Sequence, residues 1–307
     1  MNNLDKQYNA ILQDILDNGE WAENRTGIRT KQLFCREIRH DMREGFPLLT
    51  SRRVPYKAEL VELEGFIKGI TSKKWYRDRK CEFWTPFCRQ DLVPYANDPE
   101  TKAQMEAEDD LGPIYGSQWR EFKSPTEKFI HGDVFGGGAE LDHHPKTIDQ
   151  LKIIVDKIKK GIDDRRLIVM GWNPLALSVA ALPCCHYSFT VYLSTCGGYI
   201  DLKWNQRSVD FPLGNALPKY GALLCLLAHE AKRIPRHLIA SYENVHVYEN
   251  QIEVAKRQLE RPTLDKLPTI KLKTWNFSDI FDWTADNGYD IVDYQHSGVL
   301  KYPRMAV

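Results

Sequence analysis

The spacing of apolar residues predicts the helices. Near the start of the chain they recur every three or four positions, as on the buried face of a helix, and Gly19 follows as a stop signal. The residues that repeat are Leu4, Tyr8, Ile11, Leu12, Ile15 and Leu16. The same spacing predicts helices in "YKAELVELEGFIKG", ending on Gly69, and in "TIDQLKIIVDKIKKG", ending on Gly161. A long apolar helix is predicted from Leu217 to Ala231, and a shorter one in "NQIEVAKRQLE".

Alternation of apolar and polar residues predicts the strands. It is visible in "TKQLFCREI", and further strands are predicted at "RLIVMGW", "HYSFTVYL" and "YIDLKWNQ". The Cys-Gly-Gly sequence at 196–198 is expected to join the last two strands as a hairpin. Because strands and helices are mixed without strict alternation, the order favours a layered α+β fold over repeated βαβ units.

Two polar stretches interrupt these elements. Residues 96–110 and 121–145 have the composition of loops. We find no internal repeat and no linker that would divide the chain. We therefore expect one domain over residues 1–307, with the two stretches as insertions.

The composition limits the kinds of partner. Lys plus Arg and Asp plus Glu number 42 each, so the chain has no net positive field for nucleic acid, and any anion site must be local. The N-terminal segment is amphipathic and acidic, and no apolar stretch is long enough to span a membrane, so we expect a cytoplasmic protein. The seven scattered cysteines predict reduced thiols, and the pair His143 and His144 has no cysteine partners, so no metal site is predicted.

The stretch "ALPCCHYSF", residues 181–189, raises the question of chemistry. A cysteine here either fills the start of a buried strand or acts as a nucleophile, and a nucleophile requires positive neighbours that lower its pKa. Arginines stand next to apparent strands in "DDRRLIV" and "NQRSVD", as structural ion pairs or as an anion site. In "ENVHVYENQ", alternation puts His246 and Tyr248 on one strand face, where they either pack in the core or reach a sugar hydroxyl.

Together these motifs resemble the thymidylate synthase family. The similarity runs from about residue 6 to 307, in order and approximate spacing, through "ENRTG", "DLGPIYGSQWR", "DRRLIVMGWNP", "ALPCCHYSF", "LKWNQRSVDFPLG", "ENVHVYENQ" and the closing "MAV". The resemblance implies a large twisted mixed β-sheet with flanking helices. It also implies a thiolate that adds to carbon-6 of a pyrimidine nucleotide, so that carbon-5 can accept a one-carbon group from methylene-tetrahydrofolate.

Cys185 matches the family's nucleophile, because the family reads Pro-Cys-His and only the second cysteine precedes His186. Strand alternation disagrees with this assignment. It places Cys185 with Tyr187, Phe189 and Val191 on an apolar face, and Cys184 with His186 on a polar one. A bulge or the start of a strand near residue 185 would remove the conflict, and we follow the motif.

The resemblance assigns roles to further positions. Glu62 matches a carboxylate that organises water and proton transfers, Tyr115 assists removal of the carbon-5 proton, and Arg165 with Arg166 matches a pair contributed by the partner subunit of a homodimer. The substrate contacts implied are Arg25, Arg207 and Ser208 for the phosphate, His246 and Tyr248 for the ribose, and His186 and Gln206. The folate contacts implied are Trp84, Arg52, Asp210, Leu213, Gly214 and the terminal Ala306 and Val307. Arg207 and Asp210 also fall among the catalytic positions.

The sequence departs from the family where the base is recognised. The family usually reads "GLPFNIASY" after the Arg-Ser-x-Asp motif, whereas this chain reads "GNALPKYGA" at 214–222, which puts Pro218 at the asparagine that pairs with the pyrimidine. Proline cannot make this contact, since it has neither an amide side chain nor a backbone N–H. Asn215 is the nearest amide that could replace it.

Three activities therefore remain open. Conversion of dUMP to dTMP is favoured by Trp84 and the complete C-terminal tail, which suit a closed, dry site. Hydroxymethylation of dUMP follows if water attacks the exocyclic methylene, and a dCMP-directed relative is a further alternative, although His186 suits a uracil. A catalytically silent nucleotide- or RNA-binding relative is the alternative outside the enzymes.

Overall fold

The helices and their ends follow from local capping. The computed structural model describes residues 1–24, 27–96, 98–123, 129–131, 140–142 and 147–303. Its helices are α1 (Asn3–Asn18), α2 (Tyr56–Lys68), α3 (Lys73–Asp78), α4 (Pro99–Ala107), α5 (Tyr115–Arg120), α6 (Gln150–Lys159), α7 (Leu217–Ala231) and α8 (Ile252–Leu259). The Asn2 side chain caps α1 by accepting a hydrogen bond from the Asp5 N–H at 2.8 Å. Gly69 ends α2 with a left-handed backbone (φ 71°), which glycine adopts without strain.

A mixed sheet lies between the helices. The strands are β1 (Glu20–Ala22), β2 (Thr30–Asp41), β3 (Phe122–Lys123), β4 (Phe129–His131), β5 (Glu140–Asp142), β6 (Thr147–Ile148), β7 (Ile168–Met170), β8 (His186–Leu193), β9 (Tyr199–Asp210), β10 (Ile234–Tyr248), β11 (Thr269–Leu272) and β12 (Tyr289–Val292). Within the described residues, six of them form one sheet in the order β1-β2-β10-β9-β8-β7. The β9–β10 pair is parallel and the other pairs are antiparallel, which confirms the α+β class and the large mixed sheet.

Most elements predicted from the pattern are confirmed. The apolar helix begins and ends at the predicted residues, Leu217 and Ala231, and the strand "HYSFTVYL" is β8 as predicted. The turn at 196–198 joins β8 to β9 as an antiparallel hairpin. The strand predicted in "TKQLFCREI" extends further, to Asp41.

The prediction of loops in the two polar stretches is wrong in part. The first contains α4, whose N-terminus is capped by Asp98 and begins with Pro99. No residue of α4 is buried, so it lacks the apolar repeat by which a helix is found in sequence. The described part of the second stretch forms the short strands β3, β4 and β5. The one-domain interpretation stays a prediction.

Helix α7 packs in the core and brings its first turn to the sheet. It begins after Ala216, which has a left-handed backbone (φ 53°), and Pro218 lies in its first turn. Proline is tolerated there because the N–H groups of the first turn have no partner within the helix. Among the described residues no helix, α7 included, is both long enough and apolar enough to cross a membrane.

Candidate active site

Cys185 lies immediately before β8, at an irregularity in the strand pairing. The register of β8 on β9 shifts between His186 and Ser188. Alternation was therefore wrong to place His186 on the polar face: it is buried, whereas the Tyr187 hydroxyl donates a hydrogen bond to Glu243 at 2.6 Å. The start of the strand and the shift together remove the conflict with the motif, because the alternation does not extend back to Cys185.

Arg207 stands beside the Cys185 thiol. Its Nη2 atom lies 3.7 Å from Cys185 Sγ, and the same guanidinium donates to the carbonyl oxygens of Pro183 at 2.9 Å and Cys184 at 3.2 Å. Burial raises the pKa of the Cys185 thiol, and the positive charge of Arg207 opposes that effect. Among the described residues Arg207 has no acidic partner, so its charge is available to the thiolate and to an anionic ligand.

Tyr115 contacts both the backbone of Cys185 and a group of aromatic rings. Its hydroxyl accepts a hydrogen bond from the backbone N–H of Cys185 at 2.7 Å, which leaves the phenolic proton free to be donated. Its ring stacks on Phe66 at 4.6 Å and meets the rings of Trp84 at 5.8 Å and His186 at 5.4 Å. Burial raises the pKa of Tyr115 well above its usual value, so the phenol is neutral.

Glu62, whose charge acts on Tyr115, contacts Lys219, a residue that the sequence analysis did not assign to the site. Its carboxylate forms a buried ion pair with Lys219 of α7, and Lys219 also lies 3.2 Å from Glu59. Burial raises the pKa of Glu62, Lys219 lowers it, and Glu59 raises it further. A signal for Lys219 was present in the sequence, because it is the lysine inside an otherwise apolar predicted helix, directly after Pro218.

Asp210 and His246 are neighbours at the ends of β9 and β10. One carboxylate oxygen of Asp210 accepts a hydrogen bond from Gln251 at 2.9 Å, and burial raises the pKa of Asp210 to about 7. Burial lowers the pKa of His246 to about 4, and its Nδ1 atom lies 2.8 Å from the Asn244 side-chain oxygen. The His246 and Tyr248 rings meet edge to face at 5.4 Å, so both lie on one side of the strand, as alternation predicts.

The turn between β9 and α7 is held by two amide side chains, Gln206, which was assigned to the substrate, and Asn215, the candidate for base recognition. Gln206 donates to the carbonyl oxygens of Ser208 at 3.1 Å and Gly214 at 3.0 Å. Asn215 donates to the Phe211 carbonyl at 3.4 Å and accepts from the Leu217 N–H at 3.5 Å. In this conformation the Asn215 side chain therefore caps the turn, because its amide oxygen and nitrogen both bond to backbone groups.

Several buried polar atoms of the site have no hydrogen-bond partner within the described part of the chain. They are Arg52 Nε, His186 Nδ1 and Asp210 Oδ1. Unpaired buried donors and acceptors are costly, and each here belongs to a position assigned to nucleotide or folate. These atoms are therefore open to contacts with a bound ligand, and Arg52, whose guanidinium also bonds to the Pro212 carbonyl, supplies a cation near Asp210.

The remaining assigned positions are either exposed or outside the description. Arg165 and Arg166 are exposed, with Arg165 in a left-handed backbone conformation (φ 58°). Ser208 and Leu213 are half-buried near Asp210. Arg25, Ala306, Val307, His143 and His144 lie outside the described residues. In the part of the chain that is described, no three metal-ligating side chains lie together.

The site can generate a nucleophile and transfer protons beside it. Covalent addition to a polarised ring requires a thiol with a nearby cation, a neutral proton donor and a carboxylate, and the described residues supply them as Cys185 with Arg207, Tyr115 and Glu62. The family model described as Thymidylate synthase matches residues 6–307, nearly the whole chain. That match confirms the resemblance carried by the motifs: the chain belongs to the thymidylate synthase family.

Proposed function

We propose that the protein transfers a one-carbon unit from methylene-tetrahydrofolate to carbon-5 of dUMP and forms dTMP. Its family supports the coarser statement, folate-dependent transfer to carbon-5 of a pyrimidine nucleotide. The observation that carries the proposal is the 3.7 Å approach of Arg207 to the Cys185 thiol, beside Tyr115, on which the charge of Glu62 acts. Arg207 is then both a phosphate ligand and the charge that keeps the thiolate accessible.

The chain's residues have distinct tasks in this reaction. Cys185 attacks carbon-6 of the pyrimidine, which moves an electron pair toward carbon-5 and the carbonyl oxygen at position 4. Glu62 supplies or relays a proton to that region, and Tyr115 assists the later removal of the carbon-5 proton. The methylene group arrives on the folate, which Trp84, Asp210 and Arg52 would hold.

Recognition of the sugar and the partner subunit complete the proposal. His246 and Tyr248 lie on one side of β10, and we assign the ribose to them. Arg165 and Arg166 are exposed, which is consistent with a role in the second site of a homodimer. We expect a homodimer in solution, and a monomeric enzyme with full activity would contradict this assignment.

Hydroxymethylation of dUMP is the second candidate. Pro218 replaces the family's base-pairing asparagine, and the charged pair Lys219 and Glu62 makes that end of the site polar enough to hold water. Water rather than hydride would then complete the reaction at the exocyclic methylene. A cytosine nucleotide substrate would be a variation of either activity.

One experiment separates these functions. The protein is mixed with dUMP and methylene-tetrahydrofolate, the absorbance of dihydrofolate is followed, and the product is weighed by mass spectrometry. Dihydrofolate with dTMP supports methyl transfer, because only that reaction oxidises the folate. Tetrahydrofolate with a product one oxygen atom heavier than dTMP supports hydroxymethylation. If neither product nor a covalent adduct on the peptide 181–193 forms with dUMP or dCMP, the silent binding relative is favoured.

A further inference from the structure

Three charged side chains are buried together where α2 meets α7. Lys219 Nζ lies 3.2 Å from Glu59 Oε2 and is in direct contact with Glu62 Oε2. Their side chains are 5%, 9% and 8% exposed for Lys219, Glu59 and Glu62. The two glutamates are three residues apart on one helix, so both face the lysine. We refer to these residues as the Glu59–Lys219–Glu62 cluster.

The charges of the cluster do not balance. Two carboxylates and one ammonium leave one net negative charge when all three groups are ionised, and an unbalanced charge is costly away from water. One additional proton makes the cluster neutral. Glu59 Oε2 has Lys219 as its ion-pair partner at 3.2 Å, and no further donor to this atom is found among the residues that the structure describes.

The proton belongs on a carboxylate rather than being lost from the lysine. Burial lowers the pKa of Lys219, but the two carboxylates outweigh burial and raise it, so Lys219 remains charged. Burial is also the main cause that raises the pKa of Glu62, and the negative charge of Glu59 adds to it. Two carboxylates this close titrate as a coupled pair, so the proton is shared between them.

Other titratable groups around Glu62 carry no charge at neutral pH. They are Tyr76 of α3, Cys81 of the segment after it, Tyr115 of α5 and Tyr220 of α7, and burial raises the pKa of every one of them. The Trp84 indole also lies beside Glu62 and cannot be charged. In the described part of the chain, the charge that Glu62 experiences therefore comes from Lys219 and Glu59.

We propose that Lys219 and Glu59 are positioning residues that keep one shared proton on this cluster, so that Glu62 meets the substrate as a proton donor. As the bond between Cys185 Sγ and carbon-6 forms, the displaced electron pair moves onto the ring carbonyl oxygen, and Glu62 gives its proton to that oxygen. The carboxylate that remains is stabilised by Lys219. This step rests on the proposed function, whereas the shared proton does not.

The proton can be measured directly in the protein without substrate. Infrared difference spectra between pH values record the carbonyl band of protonated carboxylic acids, and loss of a band in Glu62→Gln assigns it. In Glu59→Gln, removal of the neighbouring negative charge lets Lys219 hold Glu62 ionised, so the Glu62 midpoint should move to lower pH by about 1–3 units. In Lys219→Met it should move to higher pH by a similar amount.

Glu64→Gln is the matched control. Glu64 is also buried on α2, but it pairs with Lys68 and accepts from the Ala285 N–H at 2.9 Å, away from the cluster. This variant should leave the Glu62 midpoint unchanged. If Lys219→Met does not fold, the double variant Glu59→Gln/Lys219→Met replaces it, and its midpoint should lie above that of Glu59→Gln alone.

The outcomes separate this inference from the proposed function. An unchanged or raised midpoint in Glu59→Gln overturns the shared proton, even if the wild-type protein converts dUMP. Absence of any turnover overturns the proposed function but leaves the spectroscopic result standing. Where turnover is found, the part of the pH profile of kcat/KM that requires a protonated acid should move to lower pH in Glu59→Gln. It should stay in place in Glu64→Gln. A merely structural role of Glu59 would not produce this shift.

Discussion

The Nη2 atom of Arg207 lies 3.7 Å from the Sγ atom of Cys185 and at the same time holds the Pro183 carbonyl. One guanidinium therefore fixes the backbone just before β8 and supplies the charge nearest to the thiol. In the proposed function, this dual contact allows a cysteine that is largely surrounded by protein to act as the nucleophile. Burial raises the pKa of Cys185, and Arg207 is the foremost of the groups that lower it, followed by a hydrogen bond with Tyr115 and the charge of Lys219.

Substitution of the two adjacent cysteines should have different effects. Cys185→Ala should lower turnover by more than about 10³-fold, because the nucleophile is lost. Cys184→Ala should keep turnover, because burial raises the pKa of the Cys184 thiol to about 12 and so keeps it protonated. It should lower the free energy of unfolding by about 1 kcal/mol, because a buried side chain is shortened. Initial rates and the mass of the quenched protein measure both effects. Loss of activity in Cys184→Ala with full activity in Cys185→Ala would show that the assignment of the nucleophile is wrong.

Removing the arginine should make the Cys185 thiol harder to ionise. In Arg207→Met we expect the midpoint for alkylation of Cys185 by iodoacetamide to move to higher pH by about 1–3 units, since an opposite charge at this distance favours the thiolate. Peptide mass mapping follows Cys185 separately from the other six cysteines. Arg207→Lys keeps the charge and serves as the control, with a smaller shift. Equal midpoints in the wild type and Arg207→Met would mean that the guanidinium does not act on the sulfur.

Close contact between two helices positions Tyr115. A Cβ atom added at Gly116 would lie 2.8 Å from Phe66 Cα and 2.9 Å from the Gly65 carbonyl oxygen, so Gly116→Ala should force α5 away from α2. We expect a loss of about 1–3 kcal/mol in the free energy of unfolding and lower turnover, because Tyr115 moves from the Cys185 N–H. Gly198→Ala is the control, since its added Cβ meets nothing closer than 4.0 Å. Urea denaturation and initial rates test both variants.

The elements of the fold were predictable where the pattern and the packing agree. Helix α7 is apolar on nearly all sides because it lies in the core, and its limits at Leu217 and Ala231 were evident from composition alone. Helix α4 was missed because none of its residues is buried, so it has no apolar repeat, although Asp98 and Pro99 are typical of a helix start.

The site was predictable only where a motif carried it. Strand alternation misplaced His186 because a local register shift cannot be read from a period of two. The cluster at Glu62 was missed for a different reason. Lys219 is far from Glu59 and Glu62 in sequence, and only the contact of α2 with α7 shows that the three charged groups form one cluster.

Histidine protonation should destabilise the protein at acidic pH. Burial lowers the pKa of His246 to about 4, below the value of about 6.5 in an unfolded chain, so the unfolded state binds the proton more tightly. Stability should therefore fall as the pH decreases from about 6.5 to 4, by up to about 3 kcal/mol from this residue. In His246→Gln that part of the decrease should disappear. Urea denaturation at pH 7 and pH 4.5 measures the difference, and equal decreases in the two proteins would contradict it.

Asp210 should produce the opposite slope. Its pKa is raised by burial to about 7, so the folded state binds this proton more tightly than an unfolded aspartate with a pKa of about 3.9. Stability should decrease as the pH rises from about 4 to 7, by up to about 4 kcal/mol, and stay low above that range. Asp210→Asn keeps an oxygen that can accept from Gln251 and carries no charge, so it should be more stable than the wild type at pH 8 and similar at pH 4. Urea denaturation at both pH values tests this, and an Asn variant that is less stable than the wild type at pH 8 would mean that Asp210 is ionised and well solvated in the folded protein.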